Sequence, residues 1–372
     1  MSESIELKRT ALHDWHEAHG GRMVDFAGWS LPVFYETGAL AEHHGTRASV
    51  GLFDIDHMGQ VEVTGSDAGA VVDRLVSSDM ASLEEGSARY GLLCNEAGGV
   101  LDDVIVYRTG ESTYLIVVNA GNRESDAAWI EAAVTGSDCT VVDRSADLAM
   151  MAIQGPNAVG LVDGVTDSDI GGIERFTSAT IELFGTTALV GRTGYTGEDG
   201  VELFVHGGSI DVWTGLLAHA EEVGIDAMAV GLSARDSLRF EPGYPLYGHE
   251  LGLDITPFEA RLGWAVHLDG SDFIGKEALV AAKAAGLTRR LETLVMEDKG
   301  VPREGSTVLD ADGNEIATVV SGIFAPTVDA FVANAFLPRE HGEVGTALAI
   351  DIRGTAKAAR VAKRPLYRSP SL

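Results

Sequence analysis

Two carboxylates interrupt the apolar run Gly98-Gly99-Val100-Leu101-Asp102-Asp103-Val104-Ile105-Val106-Tyr107, and they are the first residues of this chain to suggest chemistry. Gly98-Gly99 reads as a turn, and the Val, Ile and Tyr that follow read as a strand. Side chains alternate faces along a strand. Asp102 therefore shares a face with Val100, Val104 and Val106, and Asp103 shares the other with Leu101, Ile105 and Tyr107. Whichever face is buried takes an aspartate with it. Burying an ionised carboxylate without partners costs several kcal/mol, against a net stability of about 5–15 kcal/mol for a whole domain. A carboxylate kept at that cost suits proton transfer or the stabilisation of a developing cation. Alternation alone does not say which aspartate it is.

A second candidate is Arg192-Thr193-Gly194-Tyr195-Thr196-Gly197-Glu198-Asp199-Gly200-Val201-Glu202-Leu203-Phe204. Its glycines let the backbone turn tightly and approach a ligand, but the Lys-Ser/Thr ending of a phosphate loop is missing. Glu202 falls among strand-like residues, where its carboxylate could accept two parallel N–H donors, such as the amino-pyrimidine edge of a pterin. A bulged hairpin carrying a solvated Glu explains the same pattern. Third, Gly231-Leu232-Ser233-Ala234-Arg235-Asp236-Ser237-Leu238-Arg239-Phe240-Glu241 spaces Arg235 and Arg239 one helical turn apart. The pair suits a carboxylate-bearing ligand; surface ion pairs to Asp236 and Glu241 suit it equally. In Asp54-Ile55-Asp56-His57-Met58-Gly59, a histidine beside two acids could hold a metal or act as a base, or the acids could satisfy backbone groups at a strand start. His43-His44 lacks the i, i+4 spacing of a helical zinc site, and no metal is expected.

These groups must be positioned by elements of both kinds. The patterning predicts helices over residues 5–20, 67–76, 122–134 and 209–222, and strands at 59–65 and 115–120. Leu148-Ala149-Met150-Met151-Ala152-Ile153-Gln154-Gly155-Pro156 reads as a strand ending in a turn, and a hairpin follows near 187–204. After about residue 288 the chain is almost all strand and turn, with strands at 291–295, 307–309, 316–321 and 347–352. Asp310-Ala311-Asp312-Gly313 supplies hairpin turn chemistry there. Strands and helices mix without regular βαβ spacing, so the fold class is α+β with a C-terminal β-domain. Arg368 to Leu372 reads as a frayed tail.

At 372 residues the chain exceeds one ordinary core and implies two or three domains. Its 45% hydrophobic and 22% charged residues are those of a globular protein. The formal net charge of -29 is extreme, with only six lysines, and the acids are spread over the whole chain. Adaptation to very high salt, where screening acts over about 3 Å at 1 M, explains this; an acidic face for a basic partner is the alternative. Nucleic acid is excluded as a partner, since its phosphates would be repelled. The N-terminus has no apolar leader and no run long enough to span a bilayer follows, so a cytoplasmic, membrane-free protein is expected. Cys94 and Cys139, isolated and without CxxC spacing, fit a reducing compartment and buried structural roles.

Taken together, the segments resemble the T-protein family of the glycine cleavage system, the folate-dependent aminomethyltransferases. The carriers of the resemblance run nearly end to end. They are Met23-Val24-Asp25-Phe26, His57-Met58, Gly98-Gly99-Val100-Leu101-Asp102-Asp103, Val118-Asn119-Ala120, Gln154-Gly155-Pro156-Asn157, Gly194-Tyr195-Thr196-Gly197-Glu198, Ala234-Arg235-Asp236-Ser237-Leu238-Arg239, Leu246-Tyr247-Gly248 and Leu262-Gly263-Trp264. The resemblance implies three domains in a ring with tetrahydrofolate in the central hole. The first two are interleaved mixed α/β domains with antiparallel sheets, residues 1–50 with 145–245 and residues 51–144 with 246–285. The third, residues 286–372, is barrel-like. It gives the catalytic role beside the reactive folate nitrogens to Asp102 and pterin recognition to Glu202. It adds Arg235, Tyr195, Tyr90, Asn119 and Trp264 as folate-binding positions, and Arg303 as the contact to the carrier. Asp103 is left as a structural acid behind Asp102.

The implied reaction takes the aminomethyl group from the lipoyl arm of the carrier H-protein. It yields 5,10-methylenetetrahydrofolate, ammonia and the reduced dihydrolipoyl arm, with tetrahydrofolate as co-substrate, no metal, and a monomer or weak oligomer as the working state. Two positions depart from the family. Asp56 stands where Ser is usual, which would add a negative charge near the cavity, and the family's tyrosine near the extreme C-terminus has no clear counterpart in Leu366-Tyr367-Arg368-Ser369-Pro370. Within the same superfamily, a folate-dependent demethylase acting on a sulfonium or O-methyl substrate is the nearest rival. A non-enzymatic iron–sulfur assembly factor would carry a cysteine just before the loop tyrosine, where this chain has Thr193-Gly194.

Overall fold

The aspartate strand forms as Val100–Gly110 and lies second in a five-stranded antiparallel sheet, between Ala88–Cys94 and Thr113–Val118, with Gly59–Thr64 and Thr140–Asp143 beyond. The computed structural model describes residues 6–370. Burial alternates along the strand as its sequence predicts: Val100, Asp102, Val104 and Val106 are buried, while Leu101, Asp103 and Ile105 are partly so. The Val104 and Val106 face packs with Val61, Val63, Ile116 and Val118 beneath the helices Ala68–Leu75 and Arg123–Ala133, through Val72, Leu75 and Ile130. The opposite face, through Tyr107, Leu115 and Val117, meets Phe53, Met150, Ala152 and Phe204 of a second sheet and Leu238 of the helix Leu232–Phe240.

That second sheet has six strands in the order Ser178–Leu183, Thr186–Gly191, Gly200–Val205, Ala149–Gln154, Val50–Asp54 and Ala227–Ala229. All its pairs are antiparallel except the last. Its outer face, through Leu52, Met151, Ile153, Val201 and Leu203, packs on Val212, Trp213, Leu216 and Ala220 of the helix Ser209–Val223. Each sheet therefore carries helices on its outside and meets the other through its inside. This is why every residue of Gly200–Val205 is buried, Glu202 among them.

The C-terminal strands close into a six-stranded barrel in the order Arg289–Met296, Ala330–Pro338, Glu315–Ala325, Thr307–Leu309, Ala347–Asp351 and Ala356–Val361, the last pairing back to the first. Its core is Leu294, Val308, Val319, Leu337 and Ile350 with small alanines between them. The barrel is joined to the rest through a buried acid. Glu250, fully covered, accepts Nη1 of Arg239 at 3.0 Å, the Leu246 N–H at 3.0 Å, Asn334 Nδ2 at 2.8 Å and the Ser321 hydroxyl, so its charge is met from both sides of the junction.

Several expectations need correction. The N-terminal helix is only His13–Ala18, preceded by a short strand at Lys8–Arg9; residue 5 lies outside the described residues. Residues 51–54 pair with residues 151–154 and Val50 pairs with Ala227, so the strand Val50–Asp54 belongs to the second sheet throughout. The strands Ser178–Leu183, Ala330–Pro338 and Ala356–Val361 were not expected. The tail is not frayed through Ser369, although Ser371 and Leu372 lie outside the described residues. Leu366 and Tyr367 donate their N–H groups to the Glu241 carbonyl at 2.9 and 3.1 Å, and the buried Ser369 donates to Glu198 Oε2 at 2.6 Å. Arg47 ties this corner together, with Nη1 on Glu198 and Nη2 on Glu241, each at 2.9 Å, and its guanidinium 3.9 Å from the Tyr367 ring centre. The tail thereby braces the glycine-rich loop from outside.

Charge is partitioned as sharply as the strands. Residues 286–372 hold eleven Lys or Arg and eleven Asp or Glu, so the whole formal charge of -29 falls on the part before the barrel.

Candidate functional site

The site is built where the inner faces of the two sheets approach, and there the two aspartates separate. Asp102 points under the helices and is fully buried. Its Oδ2 accepts the Asn119 backbone N–H at 2.8 Å, and its Oδ1 accepts Asn119 Nδ2 and Asn122 Nδ2, each at 2.9 Å. Asp103 is on the other face. Its Oδ2 accepts the Tyr90 hydroxyl at 3.1 Å and its Oδ1 accepts Asn119 Nδ2 at 3.0 Å. The Tyr90 ring stacks on Trp264, with centroids 5.3 Å apart at 26°. Burial raises the Tyr195 hydroxyl's pKa, and the nearby Asp103 charge adds to that shift. The expected catalytic position, Asp102, is therefore turned away from the Tyr90, Trp264 and Tyr195 group, and Asp103 faces it. Strand alternation is the physical reason: the apolar face of Val104 and Val106 belongs to the helices, and Asp102 goes with it.

Burial pushes the Asp103 carboxyl up to about 7, and the Asp102 charge beside it pushes the same way, while Tyr90 and Asn119 oppose the shift. A carboxyl poised there can exchange protons at neutral pH. Strand Gly200–Val205 brings Glu202 to the same inter-sheet face. Its Oε2 accepts the Thr193 hydroxyl at 2.6 Å and Tyr107 contacts it at 3.4 Å, but no donor among the described residues reaches Oε1. Burial raises the Glu202 pKa against the pull of Thr193 and Arg235. The solvated-hairpin reading is thus set aside.

Arg235 and Arg239 do not act as a pair. Arg239 is spent on structure, with Nε on Asp236 at 2.8 Å and Nη1 on Glu250 at 3.0 Å. Arg235 makes no ion pair or hydrogen bond among the described residues; its guanidinium lies 4.9 Å from the Tyr195 ring centre. Burial weighs against its charge, with Tyr195 and Glu202 the nearby groups that favour it. Tyr195 donates to the Pro245 carbonyl and stacks on Tyr244, which fixes the loop ring beneath Arg235. A half-buried guanidinium without a partner among the described residues and a buried carboxylate with an open oxygen are groups left for a ligand.

The remaining expected residues divide. Asn119, directly after the strand Thr113–Val118, spans both aspartates. Trp264 is 70% exposed and, with Tyr90, edges a recess of about 580 Å³ that Ser78, Arg89, Phe176 and His267 also line. Arg303 is exposed on the barrel's first loop and makes no ion pair among the described residues. Asp56 does not add its charge to the cavity as expected. Its carboxylate accepts the Ala11 and Met150 N–H groups at 3.3 and 3.1 Å, and burial with the Asp54 charge raises it to about 7. The metal reading of that cluster fails too, since Asp54 holds His16 and Thr10. His57 is sealed with its Nδ1 unpartnered; burial and Arg235 push it down to about 3, so it is neutral at physiological pH.

Three residues of the site were missed. Thr193 and Tyr107 hold Glu202, and Asp126 lies beside Asp102. Asp126 had a readable signal: it is four residues before Ile130 on the helix Arg123–Ala133, hence an acid on the buried face.

Comparison with known proteins gives a consistent result over the whole chain. Residues 12–270 match the family described as the GCVT N-terminal domain, and residues 289–368 match the glycine cleavage T-protein C-terminal barrel domain. An aminomethyltransferase of Herpetosiphon aurantiacus is 43% identical over 366 residues, covering 98% of this chain and 99% of that one. An aminomethyltransferase of Bacillus subtilis is 39% identical over 365 residues, covering 97% and 99%. The crystal structure of the glycine cleavage system aminomethyltransferase T from Bartonella henselae superposes with a TM-score of 0.90 at 33% identity, covering 98% of this chain and 99% of that one.

Proposed function

Since the chain belongs to the glycine cleavage T-protein family of aminomethyltransferases, we propose that Asp103 is its catalytic carboxylate and that tetrahydrofolate binds between Asp103, Glu202 and Arg235. The enzyme transfers the one-carbon unit of an aminomethylated lipoyl carrier, the H-protein, to tetrahydrofolate and releases ammonia. Bound tetrahydrofolate supplies the nitrogen nucleophiles. The observation that supports the residue assignment is Asp103 on the inter-sheet face, hydrogen-bonded by Tyr90 and Asn119 and standing near neutrality. When ionised it accepts a proton from a folate nitrogen and opposes the positive charge that develops on the transferred carbon. Glu202, with Oε1 open, suits the paired N–H donors of a pterin, and Arg235 suits an acceptor or anionic group of the ligand. Tyr90 and Trp264 offer aromatic faces at the mouth. No step here asks for a metal, a nucleic acid or a membrane. Among the described residues, no helix is long and apolar enough to cross a bilayer.

For the carrier, the barrel is the region without excess negative charge, and Arg303 stands exposed on it. A macromolecule bearing acidic groups meets the least repulsion there. The acidity of the rest supports adaptation to high salt as part of the same reading. The deciding assay supplies tetrahydrofolate with either aminomethylated H-protein or a small methyl donor, and identifies the folate product. Methylenetetrahydrofolate formed from the first alone supports the proposal; a methylated folate formed from the second alone would favour the demethylase. Within that assay Asp103→Asn should lower turnover about 100-fold or more, the scale of a lost general base, while folate affinity changes a few-fold.

A further inference from the structure

Behind Asp103 lies a second carboxylate pair that the reaction itself does not require. Asp126, in the first turn of the helix Arg123–Ala133, is 3% exposed, and its Oδ2 is sealed from solvent without a donor among the described residues. Its side chain is within hydrogen-bond reach of Asp102. Two ionised carboxylates cannot share such a contact, so one of them holds a proton. The donor count decides which. Asp102 receives three N–H groups, from the Asn119 backbone, the Asn119 amide and the Asn122 amide, and these stabilise its anion; Asp126 receives none. Asn122, the residue just before the helix of Asp126, donates its amide to Asp102, so helix start and strand are held to one point.

We propose that Asp126 is a positioning residue: it carries the pair's proton and donates it to Asp102, which fixes one negative charge behind Asp103 and locks Asn119 between the two strand aspartates. The inference rests on the reading of Asp103 as the catalytic carboxylate. Burial and the neighbouring Asp102 hold Asp126 protonated far above the ordinary carboxylate range, even against the helix N-terminus. The groups facing the three acids are Tyr90, Asn119, Asn122, Tyr195 and Tyr247.

The test has two readouts on the full-length enzyme. Infrared spectroscopy at about pH 8 should show a protonated-carboxyl stretch in the unmodified protein and in Asp103→Asn, lost in Asp126→Asn; a wild-type protein without that band overturns the proposal whatever the activity of any variant. Kinetically, Asp126→Asn keeps an N–H donor to Asp102, so turnover should stay within about threefold and the acid-limb midpoint should not move. Asp126→Ala should lower kcat about tenfold, with KM for tetrahydrofolate within twofold. If Asp126→Asn instead lowers the midpoint by about a unit, the group was ionised and the proposal fails. If Asp126→Ala lowers only the melting temperature, the role is structural and the proposal fails likewise. Full turnover by Asp103→Asn with the infrared band intact would overturn the catalytic reading alone.

Discussion

A carboxyl held near neutrality leaves a mark on the rate. If ionised Asp103 takes the proton, activity rises with pH through a single ionisation with a midpoint near 7, and a pH profile of kcat/KM checks it. Arg235→Ala removes a cation that makes no ion pair or hydrogen bond among the described residues; losing a charge-assisted contact of about 1.5–3 kcal/mol should weaken tetrahydrofolate about 10- to 100-fold, measured by calorimetry. The sequence made both residues visible, since an aspartate in a valine run and an arginine on an apolar helix are each out of place. It could not orient the aspartates. Alternation names two faces, but only the packing of Val104 and Val106 under the helices shows that Asp102 lies beneath them and Asp103 on the inter-sheet face. Arg239 carried the same signal as Arg235 and proved structural, because its partner Glu250 lies outside the motif.

At the scale of elements, the helix Ala39–Ala48, the end of the helix Leu232–Phe240, the barrel loop and the tail converge on Glu241. Arg47 meets it at 2.9 Å, His43 at 3.4 Å and the Thr327 N–H at 2.8 Å; burial pushes its pKa up, but these three partners outweigh it and hold the carboxyl down to about 2. A depressed carboxylate contributes stability that is present above its unfolded pKa and lost as pH falls toward the folded one. Asp103 and Asp56, raised to about 7, act in the opposite sense: the folded state prefers them protonated, and that contribution is lost as pH climbs through about 7. The melting temperature should therefore rise from pH 8 toward pH 5 and fall below about 4.5, and Glu241→Gln should flatten the acid side; calorimetry over that range checks the shape. Convergences of this kind are hard to read from sequence. The strands expected at 291–295 and 347–352 form, whereas Ala330–Pro338 was not expected although Phe331, Val332, Phe336 and Leu337 mark it, because Ala333, Asn334 and Ala335 interrupt the apolar run.

For the molecule as a whole, the charge of -29 outside a neutral barrel predicts salt dependence. Repulsion acting over about 10 Å at 0.1 M is confined to about 3 Å at 1 M, so the melting temperature should climb steeply between those concentrations, and a scan in potassium chloride measures it. A flat response would remove high-salt adaptation as the reason for the acidity. The tryptophans are distributed to a different effect. Trp29 and Trp213 are buried, Trp15 and Trp129 are half-buried, and Trp264 alone stands open, stacked on Tyr90 at the edge of the recess. Four indoles thus give a steady emission and one gives a variable one. The chain carries its own optical gauge of occupancy: ligand entering beside Trp264 should change the fluorescence of the unlabelled protein, and Trp264→Phe should leave it dark to the same titration.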